Sequence, residues 1–137
     1  MTIEEQTRDD LIKYRLEQAR DAIDVVDLLI RNEKLSTAVN RIYYGMFYSL
    51  LALALQFNFE TSKHQQLIGW FNKEFIRPGL IEKEYGRILR DAYEYRTSSD
   101  YDSFVVFTKV EILLLFTDMK SFIEKIEIFM KATNGYN

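Results

Sequence analysis

Apolar residues recur along the chain at three- and four-residue spacing, the signature of amphipathic helices. The first stripe runs through Leu11, Ile12, Leu16, Ala19, Ile23, Val26 and Ile30, and Thr2-x-x-Glu5 ahead of it has capping-box spacing. Residues 32–35 read as a turn, with Ser36 as the next N-cap. A second helix, predicted over 37–57, is apolar nearly all round: Val39, Ile42, Tyr43, Met46, Phe47, Leu50, Leu51 and Ala54. A helix without a polar face belongs at the centre of a bundle or under a second subunit. Its small residues Gly45, Ser49 and Ala52 would let another helix approach closely.

Ser62-x-x-Gln65 has the same capping spacing and predicts the start of a third helix carrying Leu67, Ile68, Phe71 and Phe75, which Pro78-Gly79 ends. A fourth helix over about 82–97 places Tyr85, Ile88, Leu89, Ala92 and Arg96 on one face, followed by a loop over 98–101. The apolar run 104–107 reads as extended chain. Thr108-x-x-Glu111 then opens a long helix to about residue 131, with Ile112, Leu115, Phe116, Met119, Phe122, Ile123, Ile126 and Phe129, and the tail to Asn137 is expected to fray. The pattern predicts an all-α, up-and-down antiparallel bundle of four to five helices. No linker or repeat divides it, so residues 1–137 are expected to form one domain with its core over about 10–131.

Composition narrows the chemistry. The 137 residues include no cysteine, which excludes disulfides, thiolate zinc sites, iron–sulfur clusters and a cysteine nucleophile. The lone histidine, His64, argues against a His-rich metal centre or a Ser-His-Asp hydrolase, and a di-iron bundle would need two Glu-x-x-His pairs where there are none. No metal or cofactor is expected. The formal net charge of -3 gives no general attraction to nucleic acid, so contact with RNA would require a local patch. Lys83, Arg87 and Arg90 recur at helical spacing off the Tyr85 stripe and are such a candidate, although most such runs are solvated surface. The acidic N-terminus lacks a signal-peptide core, and the most apolar stretch, 42–57, is too short and too amphipathic to span a bilayer. A cytoplasmic protein with no membrane association is expected.

Three segments together resemble one family: Ala38-x-x-Arg41-x-Tyr43-Tyr44-x-x-Phe47, then His64 ahead of Trp70-Phe71-Asn72-Lys73-Glu74-Phe75, then Tyr95-Arg96-x-x-x-Asp100-Tyr101. In this order and spacing the chain resembles HEPN domains (higher eukaryotes and prokaryotes nucleotide-binding), in particular the small stand-alone bacterial and archaeal branch. The resemblance implies a helical bundle that forms homodimers and is often encoded beside a minimal nucleotidyltransferase, as a toxin–antitoxin pair. It also implies, for many members, metal-independent endoribonuclease activity through an R-x4-6-H motif. Arg96 matches the arginine of that motif, whereas Tyr101, Asp102 and Ser103 stand where its histidine would fall. His64 lies in a different helix and does not match.

The candidate binding residues are therefore Arg41, Tyr44, Arg96, Asp100 and Tyr101. Each has a plainer reading. Arg96 pairs with Asp100 one turn later and locks the end of its helix; Arg41 packs its stem on the tyrosines of its own face; His64, in the first turn of its helix, stays neutral and structural. Three functions compete. The first is a module binding RNA, a nucleotide or a nucleotidyltransferase-like partner. The second is a metal-independent endoribonuclease using Arg96 with Tyr101 or Asp102 in place of the imidazole, although neither residue ordinarily titrates near pH 7. The third is a purely structural dimerising domain.

Overall fold

A computed structural model describes residues 2–102 and 104–134. Five α-helices follow one another: α1 (Ile3–Arg31), α2 (Leu35–Gln56), α3 (His64–Phe71), α4 (Lys83–Tyr101) and α5 (Lys109–Asn134). A π-helical turn, Asn72–Ile76, continues α3, and there is no strand among the described residues. The all-α bundle expected from the hydrophobic pattern is the one observed.

The nearly all-apolar α2 is the central helix and packs against α1, α3, α4 and α5. Tyr43, Ile42, Met46, Leu50 and Leu53 on it are fully buried. Gly45 explains how three helices come so close: a Cβ there would meet the methyl end of Met119 on α5 and sit 3.0 Å from the Ala22 Cβ on α1. Polar pairs record the antiparallel run of α1 against α5. The Arg20 guanidinium donates to both Glu127 carboxylate oxygens at 2.9 and 3.0 Å, and Lys109 pairs with Glu33 at 3.0 Å, so residue numbers rise in opposite directions. Exposed pairs of this kind add little stability, about 0–1 kcal/mol each, but they mark register.

Of the predicted helix starts, Thr2 caps α1 through its hydroxyl alone and Thr108 forms a full capping box. The Thr2 hydroxyl accepts from the Glu5 N–H at 3.1 Å. Thr108 accepts from the Glu111 N–H at 3.2 Å, while the Glu111 carboxylate accepts from the Thr108 N–H at 2.9 Å. The other two predicted caps do not form. Lys34 precedes α2, its carbonyl accepting the Ala38 N–H, and Ser36 is already inside the helix because Leu35 turns onto the core. Thr61 displaces Ser62: its hydroxyl accepts the Lys63 N–H at 3.2 Å and donates to Gln66 at 2.7 Å, so α3 opens at His64. On α1, Leu11 falls outside the buried stripe, at 37% exposed, and Ala22 takes a place in it.

The predicted loop 98–101 is instead the last turn of α4. The i,i+4 pair of Arg96 with Asp100 and the bond from Thr97 to the Tyr93 carbonyl hold that turn, and Asp102 closes it by accepting the Phe104 N–H at 2.9 Å. Residues 104–107 are non-helical, as expected, and pair with no strand. The expectation for the C-terminal tail concerns 135–137, which lie outside the described residues.

Candidate functional site

Two of the aromatic groups have different surroundings. One, around Phe57, Phe59, Trp70, Phe75 and Phe129, packs ring on ring and pins the α3–π-helical segment to α2 and α5. The other gathers Tyr43, Tyr44, Phe47 and Tyr48 of α2 with Tyr93 of α4 and His64 of α3, and only this group carries guanidinium groups.

Tyr44 is its centre. The Arg41 guanidinium lies 4.9 Å from the Tyr44 ring centroid and that of Arg96 lies 5.3 Å from it, both within cation–π range. Arg96 also donates from Nη2 to the Tyr44 hydroxyl at 3.3 Å and sits 5.5 Å from the Tyr43 ring. Its Nε approaches Asp100 Oδ2 at 3.0 Å, but the N–H is not directed along that line and has no hydrogen-bond acceptor among the described residues. Arg41 donates from Nε and Nη2 to the Asn40 side-chain oxygen at 3.1 and 3.0 Å, and no described carboxylate lies within ion-pair distance of it. Two cations thus share one tyrosine, and one of them, Arg96, has a partly exposed carboxylate beside it. The side chains of Arg96 and Asp100 are 24% and 35% exposed, which places the cluster at the bundle surface, within reach of a ligand.

His64 belongs to this cluster, although it is remote from Arg96 in sequence. As the first residue of α3 it stacks on Phe47 with centroids 4.1 Å apart, and its Nδ1 lies 2.9 Å from the Tyr43 hydroxyl. Burial holds the Tyr43 phenol well above its ordinary pKa, so it stays protonated and needs an acceptor. Nδ1 is the one acceptor it has among the described residues, which puts the imidazole proton on Nε2. Burial first, and the Arg96 charge second, push the His64 pKa below 6.5, so the ring is neutral at pH 7. The sequence places His64 at a helix start; its proximity to Arg96 depends on the packing of α3 against α2 and α4, which no local spacing encodes.

The structure therefore brings together Arg41, Tyr44, Arg96 and Asp100, and adds His64 and Tyr43. It does not bring in Tyr101 or Asp102. Tyr101 ends α4 at 87% exposed, and Asp102 is spent on the turn to Phe104. Ser103, the third position at which the motif histidine would fall, lies outside the described residues. No group of three or more His, Asp or Glu side chains suited to a metal occurs among the described residues. No described helix is long and apolar enough to cross a membrane.

Comparison with known proteins shows the family. The family model described as HEPN domain matches residues 12–132. A "UPF0332 protein" of Thermotoga maritima is 36% identical over 125 residues, covering 91% of this chain and 89% of its own. The "Putative toxin MJ0142" of Methanocaldococcus jannaschii is 32% identical over 121 residues, 88% of this chain and 78% of its own. A second protein of that organism, "Putative toxin MJ0605", is 36% identical over 90 residues, 66% of this chain and 67% of its own. The match runs from the middle of α1 nearly to the end of α5 and includes every residue of the Arg41–Arg96 cluster, and on it the chain belongs to the HEPN domain family.

Proposed function

We propose that this chain is a toxin-like HEPN module that binds RNA or a nucleotide through the Arg41–Tyr44–Arg96 cluster. The observation that carries the reading is the convergence of two guanidinium groups on one tyrosine ring at the surface, where the one carboxylate in ion-pair range of either is Asp100 beside Arg96. Guanidinium forks bind phosphate oxygens, and tyrosine and guanidinium planes offer stacking surfaces for bases. The neutral His64 adds an N–H donor at Nε2, a group suited to a phosphate oxygen. Names of two relatives as toxins support the toxin-like part of the reading.

The module is read as a homodimer and as a partner of a nucleotidyltransferase-like protein. Tyr101, Phe104 and Val106, next to the Arg96 turn, are 87%, 91% and 86% exposed, and an apolar patch of this kind marks a protein contact. In a dimer formed there, a second cluster would approach the first. Sedimentation of the wild type against Phe104→Asp tests this: a dimer that the substitution converts to a monomer supports it, and a wild-type monomer contradicts it.

The binding test is fluorescence anisotropy with a labelled single-stranded RNA and, separately, with AMP. Arg41→Ala and Arg96→Ala should each weaken binding about ten- to hundredfold, the worth of a charge-assisted hydrogen bond of ~1.5–3 kcal/mol. If Arg96 is only a lock on α4, its loss lowers thermal stability and leaves binding as it was.

A ribonuclease reading is favoured by one observation, the imidazole beside Arg96. It faces one difficulty: with Nδ1 occupied by the Tyr43 hydroxyl and the proton on Nε2, the neutral His64 offers a hydrogen-bond donor but no free nitrogen to remove the 2′-hydroxyl proton. An RNA-cleavage assay with wild type, Arg96→Ala and His64→Gln decides the matter. Cleavage lost in both variants establishes the enzyme; no wild-type cleavage leaves the binding module.

A further inference from the structure

A groove of about 810 Å³ runs between α3 with its π-helical turn and the first half of α4. Arg77 lines one side, and Lys83, Arg87 and Arg90 line the other. Arg87 and Arg90 share Asp91, at 3.2 and 3.9 Å, and Glu84 also borders the groove, whereas Arg77 and Lys83 have no described carboxylate within ion-pair distance. Asp118 of α5 also acts on Arg87, so in a chain whose net charge is -3 the four cations outnumber three nearby carboxylates by one and are the local patch offered to a polyanion.

One end of the groove adjoins the site already described. That end is formed by Gln65, next in sequence to His64, and Tyr93, one turn before Arg96; the Gln65 amide donates to the Tyr93 hydroxyl at 3.4 Å. Tyr93 in turn stands edge-on to Tyr43, centroids 5.5 Å apart, and Tyr43 holds His64. From Lys83 to Arg96 is roughly 20 Å along the α4 axis at about 1.5 Å per residue, with Arg96 on the Tyr85 face and Lys83, Arg87 and Arg90 on the groove face. That is longer than a mononucleotide needs. The concave shape is made by close packing at its floor, where a Cβ on Gly86 would lie 3.1 Å from the Asn72 side-chain oxygen, and by an absent side chain on its wall, where a Cβ on Gly69 would meet nothing within 4 Å.

We infer that the α3–α4 groove is a track for the backbone of single-stranded RNA, delivering the strand to the Arg41–Arg96 cluster. The inference rests on the reading of that cluster as a phosphate site and narrows its ligand from any nucleotide to a strand. Arg77, Lys83, Arg87 and Arg90 pair with successive phosphates. Tyr93, at the junction, faces a base. Recognition of this kind is electrostatic and tolerant of sequence.

Gly69 supplies the test, because a side chain can be added there without disturbing its neighbours, and replacing a helical glycine does not weaken α3. Gly69→Glu places a carboxylate in the path of the strand, and Gly69→Gln is its uncharged match. Anisotropy with a labelled oligouridylate of about 12 nucleotides should show Gly69→Glu weakened about tenfold or more, Gly69→Gln near wild type, and AMP binding equal in all three. The joint variant Lys83→Gln, Arg90→Gln should flatten the salt dependence by about 0.7 for each phosphate it no longer neutralises. The track is overturned if Gly69→Glu and the joint variant bind the oligonucleotide as wild type does while Arg96→Ala loses it. It is equally overturned if the oligonucleotide binds no tighter than AMP. In both cases the cluster stands as a phosphate site. Absence of any binding by the wild type, to RNA or AMP, overturns the cluster reading itself.

Discussion

At the scale of single residues, the cluster joins groups whose protonation is set by their surroundings. Tyr43→Phe removes the hydroxyl that bonds His64 and should cost about 1 kcal/mol in denaturant unfolding, the net worth of one such bond. His64 has a folded pKa below its unfolded value of 6.5, so the unfolded chain binds more protons in that interval. Its contribution to stability is full above pH 6.5 and is lost as the pH falls through the depressed folded value. Melting curves of wild type and His64→Gln across that range should therefore converge toward acid, relative to their separation at neutral pH. Asp100 is the carboxylate a phosphate must compete with at Arg96, so Asp100→Asn should strengthen RNA binding about two- to fivefold, matching an exposed ion pair of up to ~1 kcal/mol. Unchanged affinity would place Arg96 in a structural role alone.

At the scale of elements, the caps separate what spacing predicts from what packing decides. Thr108→Ala breaks a reciprocal box and should destabilise the fold by about 1 kcal/mol, while Ser36→Ala and Ser62→Ala, at positions with no cap bond, should stay within about 0.5 kcal/mol. Gly45→Val would force α2 away from Ala22 and Met119 and should cost about 2–3 kcal/mol by overpacking. The helices themselves were readable because their stripes are long and periodic, and the place of α2 followed from its lack of a polar face. The starts of α2 and α3 were not, because Ser36 and Ser62 have cap spacing but Leu35 and Thr61 compete for the chain locally. The end of α4 was missed for a related reason: a run of Ser, Ser and Asp reads as a loop unless the pairing of Asp100 back to Arg96 is counted.

At the scale of the molecule, the balance of charge conceals an uneven distribution. An overall charge of -3 coexists with a cationic groove and a two-arginine cluster at the groove's end. Arg41, Tyr44, Arg96 and Asp100 could be named from the chain, since each lies in a motif segment, and the structure brings them together. His64 could not be assigned to them, because three helices must pack before it meets Tyr43 and the field of Arg96. The same packing makes it a reporter, since it is the only histidine and its ring gives one set of signals in a nuclear magnetic resonance spectrum. Titrating that ring with and without the oligouridylate tests the central claim most directly. If the cluster holds RNA phosphate, the His64 signals shift on binding and the imidazole pKa rises beside the added negative charge, and both effects disappear in the Arg41→Ala, Arg96→Ala variant. RNA that binds while the His64 signals and pKa stay where they were would contradict it.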